Sequence, residues 1–241
     1  MTRQPGVSAL GLLFLLFAAH SIGMSGQATS ANDDSDWWSI LRSPEEPIGG
    51  KFQQREIANA NFRITGVFLR DYSLEAIERV MGVAPTTGRG DASTGREQAC
   101  YVSSDAAHPT YLIFEQGEVN AAFYLFSETT PWNGRNLCVS SKRVSTNVRT
   151  NSGLHLAQTP EEVVKILGEP SERRGDALYY LLHVEKKTPP DQFARVRAQH
   201  PELSEKQLHD DYDRYDLTVF ICAKFRRSSM VYLAVSVAET S

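Results

Sequence analysis

Five residues of one stretch recur at a constant offset in another, and nothing else in the chain constrains its fold as much. Ser73, Ile77, Val80, Met81 and Gly82 line up with Thr159, Val163, Ile166, Leu167 and Gly168. Each set reads as a helix cap, an apolar stripe at helical spacing and a terminating glycine. A strand and a hairpin follow in both places. Such a repeat fixes the architecture before any single element is placed. Helix-then-antiparallel-sheet, twice, predicts an α+β fold of two tandem units, each with short helices packed on an antiparallel β-sheet. Chance agreement between two ordinary α+β runs is the alternative.

The second copy is the clearer one. Thr159 is an N-cap whose hydroxyl can accept from a first-turn N–H. Pro160 occupies the first helical position, where a missing N–H costs nothing. Glu162 completes a capping box, and Glu161 and Glu162 suit the positive end of the helix dipole. Val163, Ile166 and Leu167 form one apolar stripe. Gly168 can end the helix in the left-handed conformation, and Pro170 blocks a restart. A helix of two to three turns is marginal alone in water, so the stripe must dock. Residues 177–184 then read as a buried strand, and 217–225 and 230–237 as a hairpin turning at 226–229.

The first unit is expected over 61–150, opening at 62–68. Ser73 caps a helix over 73–81 that Gly82 stops. Residues 86–97 read as a Gly-rich loop, and 100–103 as a strand. Residues 110–115 and 119–126 form a hairpin about Gln116-Gly117, and 136–144 add a strand. The second unit spans 151–241.

The N-terminus reads as an export signal over 1–28. Arg3 precedes an apolar run over 7–19 that is too short to span comfortably. Cleavage is expected at 19–21 or 26–28, and an uncleaved anchor is the alternative. Residues 29–60 are expected to be a flexible segment, with a Pro- and Gly-containing linker at 43–50. Within it Trp37 and Trp38 stand beside Ile40 and Leu41, able either to dock elsewhere or to fold back on the domain. The chain is thus expected in the periplasm or secreted.

Export permits disulfides. With Cys100, Cys138 and Cys222 three pairings are possible. Cys100 and Cys138 both lie near strand ends in the first half and are the favoured pair. Cys222 sits in an apolar strand and reads as a small buried hydrophobe. No C-x-x-C or H-x-x-x-H spacing points to a metal. The composition is ordinary for a globular chain, 41% hydrophobic and 22% charged, with net charge −4, so nothing recommends nucleic acid or an anionic membrane as partner.

Residues 188–215 form an insertion in the second unit, read as two helices. One, over 191–199, carries Phe193 and Val196. The other is capped by Ser204 with Gln207 and carries Leu208, Tyr212 and Tyr215. The pair is either a recognition surface or a cover for one end of the sheet. Arg89-Gly90-Asp91 is an RGD tripeptide in the Gly-rich loop. Arg89, Asp91, Phe193, Tyr212 and Tyr215 are therefore the protein-binding candidates. The Gly-rich loop lacks the G-K-[ST] of a phosphate cradle. The histidines outside the signal, His108, His155, His183, His200 and His209, show no metal or triad spacing. Asp210, Asp211 and Asp213 spread around a helix as a solvated face. No catalytic constellation, metal site or cofactor-binding motif is expected.

The spacing of Thr159, Val163, Leu167-Gly168, Pro170, Tyr179-Tyr180 and Leu217-Thr218-Val219-Phe220 resembles the small BamE (SmpA/OmlA) outer-membrane assembly lipoproteins. Their fold is two short helices on a three-stranded antiparallel sheet. Tandem copies of a similar unit make the β-lactamase-inhibitor-protein (BLIP) fold. The likeness covers 153–184 and 217–237, and more faintly 62–126. There are departures. The family's glycine two residues before the Thr is Ala157 here, the lipid-bearing Cys is missing, and the insertion is longer than the usual connection. The resemblance implies extracytoplasmic protein binding through a concave sheet face. The expectation is thus an exported, non-enzymatic binding module, with an enzyme or small-ligand protein using a pocket under the insertion as the alternative. An envelope factor held by Trp37 and Trp38 is a third reading.

Overall fold

The structure, a computed structural model, describes residues 52–71, 73–89, 96–117, 120–127 and 137–240. The expected export signal, the linker at 43–50, Trp37, Trp38 and Asp91 lie outside the described residues.

A short 3-10 turn leads into the two-residue strands β1 (Arg63–Ile64) and β2 (Val67–Phe68), followed by helix α1 (Leu74–Met81). Next come β3 (Thr86–Arg89), β4 (Arg96–Val102), β5 (Thr110–Gln116), β6 (Asn120–Ser127) and β7 (Val139–Ser140). The second half runs through α2 (Pro160–Leu167), β8 (Glu172–Arg174), β9 (Ala177–Lys187), α3 (Pro190–Gln199), α4 (Glu205–Tyr212), β10 (Arg214–Arg226) and β11 (Ser229–Thr240). The class is α+β.

Both helices of the recurrent pattern form as their caps require. Ser73 accepts from the Ala76 N–H, and Thr159 and Glu162 close a reciprocal capping box. Gly82 and Gly168 end the helices at φ +96° and +77°, a region costly for any residue with a Cβ. Each helix lays its buried pair, Ile77 with Met81 or Val163 with Leu167, into one shared core.

That core lies on one face of a single sheet, in which β3-β4-β5-β6 and β8-β9-β10-β11 are antiparallel runs of neighbours. The runs join through their last strands. β6 pairs antiparallel with β11, Leu125 opposite Leu233 and Phe123 opposite Val235. The two expected units therefore have no separate cores: Phe62, Tyr101, Phe114 and Phe123 pack in the same cluster as Tyr180, Val219 and Val235. α3 and α4 connect the long β9 and β10. They match the two helices expected at 191–199 and after Ser204, and the Ser204–Gln207 capping box is formed.

Several boundaries differ from expectation. Part of the expected Gly-rich loop is strand β3, and β8 appears where no strand was expected. Both are short, polar edge strands, held by backbone pairing to a neighbour and carrying no side-chain signal. The strand expected over 136–144 contracts to β7, two residues paired parallel with β4. Residues 52–60, expected within the flexible segment, are ordered against the second half. Gln53 bridges to Leu182 in parallel, exchanging backbone hydrogen bonds with Leu181 and His183. Arg55 donates to the carbonyls of Leu167 and Glu169, capping the C-terminus of α2. Cys100 and Cys138 are bridged, with Cα atoms 4.5 Å apart, consistent with an oxidising compartment. Among the described residues no helix is long and apolar enough to cross a membrane.

Candidate functional site

Strands alternate their side chains between faces, and the strand register assigns every second residue to the face opposite α1 and α2. One row crosses the sheet as Cys100, Ile113, Tyr124, Ala234, Cys222 and Tyr179. The row on one side is Val102, Tyr111, Phe126, Tyr232 and Lys224. On the other side it is Gln98, Glu115, Ala122, Ser236, Phe220 and Leu181.

This second face has three chemical zones. The first is aromatic. Tyr111 stacks on Phe126 at 5.2 Å, Phe126 meets Tyr232 at 6.2 Å, and the Lys224 ammonium stands 5.5 Å from the Tyr232 ring centroid. The second is a floor of small side chains, Ala122, Ala234, Ser236 and Cys222, in the strands where the two halves meet. The third is polar. Glu115, 2% exposed, accepts from Arg96 at 3.1 Å, Gln98 at 2.5 Å and the Tyr124 hydroxyl at 3.2 Å. A carboxylate so enclosed is tolerable only with such donors.

The residues of this face form their own buried cluster, to which none of the four described helices contributes. Two described segments from outside the main strands reach it. Cys138 arrives through its bond to Cys100. Phe52 sets its ring edge-on to His183 and Phe220, at 6.2 and 6.0 Å. Phe52 is 48% exposed, whereas the sheet's own aromatics on this face are nearly all buried. The concave sheet face that the resemblance implied as a binding surface is thus not lined with exposed aromatics. Two buried acceptors on it, Gln98 Oε1 and Glu172 Oε2, have no hydrogen-bond partner.

The five protein-binding candidates do not converge. Arg89 ends β3, opposite Arg96. Asp91 lies outside the described residues. Phe193 and Tyr212 tie the insertion together. Phe193 stacks on His209 at 4.8 Å beneath the Arg197 guanidinium, and Tyr212 stacks on His200 at 5.5 Å. Tyr215 is buried in β10, and its hydroxyl accepts from Arg70 at 2.9 Å. The insertion joins the end of β9 to the start of β10. Only Leu208 of its two helices is buried.

Between α3 and the N-terminal part of the domain lies an open cleft of about 680 Å³, lined by Asn59, Phe68, Arg70, Asp191, Arg195 and Glu239 among others. Its most enclosed cation, Arg70, is ion-paired with Glu239 and hydrogen-bonded to Tyr215. Burial lowers the Arg70 pKa, but the bonds to Glu239 and Tyr215 outweigh it and the net shift is upward. Arg70 is thus a fixed counter-ion and not a proton donor. Among the described residues no group of three or more His, Cys, Asp or Glu side chains could hold a metal.

No family model, curated protein or solved structure matches this chain.

The aromatic zone carried a sequence signal. Residues 110–115 and 120–126 are apolar almost without alternation, the mark of strands buried on both faces. The polar trio of Arg96, Gln98 and Glu115 carried none, because register alone brings it together.

Proposed function

We propose that this chain is an exported, non-enzymatic protein-binding module, and that it takes an extended polypeptide segment on the second face of its sheet. The observation that carries the reading is the zoning of that face. Flat aromatics beside a small-residue floor, nearly all buried, form a face suited to being covered by a polypeptide segment. Two unpartnered buried acceptors provide places for N–H donors. The bridged Cys100–Cys138 pair supports an extracytoplasmic setting.

The tandem organisation belongs to the same proposal. Helix α1 and strand β3 recur as α2 and β8 at one constant offset, and the two four-stranded runs end in β6 and β11, which pair at the centre of the sheet. A tyrosine in the second strand of each run, Tyr101 in β4 and Tyr180 in β9, donates to the carbonyl of the glycine that ends that half's helix. These correspondences support descent from one duplicated unit. They are also the ground for keeping the resemblance to BamE and BLIP-like repeats as a working hypothesis.

The alternative, a small-ligand or catalytic site under the insertion, draws on the cleft beside Arg70. The cleft is open and polar-lined and its strongest cation is neutralised, so it supports that reading less well than a closed apolar pocket would.

A photo-crosslinker in place of Ser236, at the centre of the second face, tests the leading reading. It should yield one reproducible adduct with another envelope polypeptide. The same group in place of the exposed Lys165 on α2 should not. Equal adducts from both positions, or none from position 236, would remove the proposal.

A further inference from the structure

The buried second face poses a question that the described elements leave open: α1 and α2 cover the first face, and no helix covers the second. We infer that the chain's own N-terminal segment, Asp33 to Leu41, is the resident occupant of this face, with Trp37, Trp38, Ile40 and Leu41 lying over the small-residue floor and the aromatic row. The inference rests on reading the face as a surface for an extended polypeptide: the chain's own segment fills it in the free protein, and a foreign segment binds by displacing it.

The place where the described chain begins is the first ground. Gln53 is fixed to the edge of β9 by two backbone hydrogen bonds, and Phe52 already sits on the second face against His183 and Phe220. The first described residue is therefore already in contact with this face.

Reach is the second. Trp37 to Leu41 precede Phe52 by eleven to fifteen residues, an extended span of roughly 36 to 50 Å. From β9 to β4 the sheet is about 24 Å wide at the usual strand spacing, so the segment can arrive anywhere on the face with slack for a turn in 43–50.

Chemistry is the third. The segment joins an acidic run, Asp33, Asp34 and Asp36, to an apolar one, Trp37-Trp38-Ser39-Ile40-Leu41. The face offers an aromatic row ending at Lys224, with Arg226 on the same strand beyond it. Acid to base and apolar to aromatic match in the same order along this row, from Lys224 on β10 towards Tyr111 on β5. The Lys224 end lies about 14 Å from Phe220, four strand residues away. The orphan acceptors Gln98 Oε1, on a residue only 1% exposed, and Glu172 Oε2 stand towards opposite ends of the face. A crossing polypeptide brings backbone N–H donors to both.

The test uses the full exported chain with Trp132→Phe, which leaves Trp37 and Trp38 as the fluorescent reporters. Their emission should be blue-shifted, with iodide quenching several-fold below that of a free tryptophan. Both should be unchanged over a hundredfold range of protein concentration. Lys224→Glu should raise the quenching at least twofold and shift the emission to the red, without altering the circular dichroism of the fold. Independently, benzoylphenylalanine in place of Lys224 should crosslink to a peptide containing Trp37 to Leu41 of the same chain. Solvent-like emission in the folded chain, shielding that disappears on dilution, or crosslinks solely to a second copy or to other segments would each overturn the inference. Because no partner is added, failure here is separable from failure to find an envelope ligand at Ser236.

Discussion

Tyr180 stands to Gly168 as Tyr101 stands to Gly82. Each hydroxyl reaches from the sheet to the carbonyl of the glycine that ends the helix of its own half, at 3.1 and 2.8 Å. That carbonyl belongs to a helix terminus, where acceptors lack intrahelical partners. The sheet thus completes the helix end, and the helix end fixes where the ring lies in the core.

Removing either hydroxyl strands a carbonyl. Tyr101→Phe and Tyr180→Phe should each lower stability by about 1 kcal/mol. The double variant should lose the sum, since the two bonds share no partner. Urea denaturation of the three variants checks both statements, and a strongly non-additive result would show that the halves communicate through these bonds.

The same phenols set an alkaline limit. Burial first raises both to about 12, with Glu78 adding at Tyr101. At Tyr180, Arg173 and Arg55 pull the other way and Glu169 adds. An unfolded tyrosine titrates near 10. Below pH ~10 both states hold the proton and the contribution is fully present. Between about 10 and 12 the unfolded state alone releases it, so stability falls as pH rises. Denaturation midpoints between pH 9 and 12 should show this decline, and it should be shallower in the Tyr101→Phe, Tyr180→Phe double variant.

Glu115→Leu leaves the Arg96 guanidinium and the Gln98 amide facing an apolar group inside the sheet. A loss of roughly 2–3 kcal/mol is expected. Glu115→Gln, which keeps an acceptor, should lose clearly less. Thermal unfolding of the two variants distinguishes a polar network from simple packing.

Ala157 holds φ +70° while its N–H donates to the Met230 carbonyl. Ala157→Gly should stabilise by roughly 0.5–1 kcal/mol, the relief of left-handed strain less the greater entropy loss of glycine. A lower midpoint than wild type would show that the methyl group matters for packing.

The Cys100–Cys138 bridge closes a loop across 38 residues. Cys100→Ser with Cys138→Ser should lower stability by at most ~4 kcal/mol on loop entropy. Reduction of the wild type should give the same shift.

Local chemistry was readable from the residues and long-range pairing was not. Thr159, Pro160, Glu162 and Gly168 specify a helix start and stop within one short stretch, and α2 forms between them. The Cys pair followed from position along the strands. β3 and β8 escaped because a polar edge strand has no pattern beyond its backbone. The junction of the halves escaped because Leu125 and Leu233 meet only through a register that no local signal encodes. For the candidate site, the aromatic zone lay in plain apolar runs, but the Gln98–Glu115–Arg96 cluster exists only after β4 and β5 pair.

The antiparallel junction also carries a consequence for biogenesis. β11 is made after β3 to β10, yet it sits between β6 and β10 at the centre of the sheet. Until it arrives, β6 presents an apolar edge with unsatisfied backbone groups, the kind of template on which chains aggregate. The sheet can close only once β11 has been made, so a chain arrested before Ser229 would be held open at its middle.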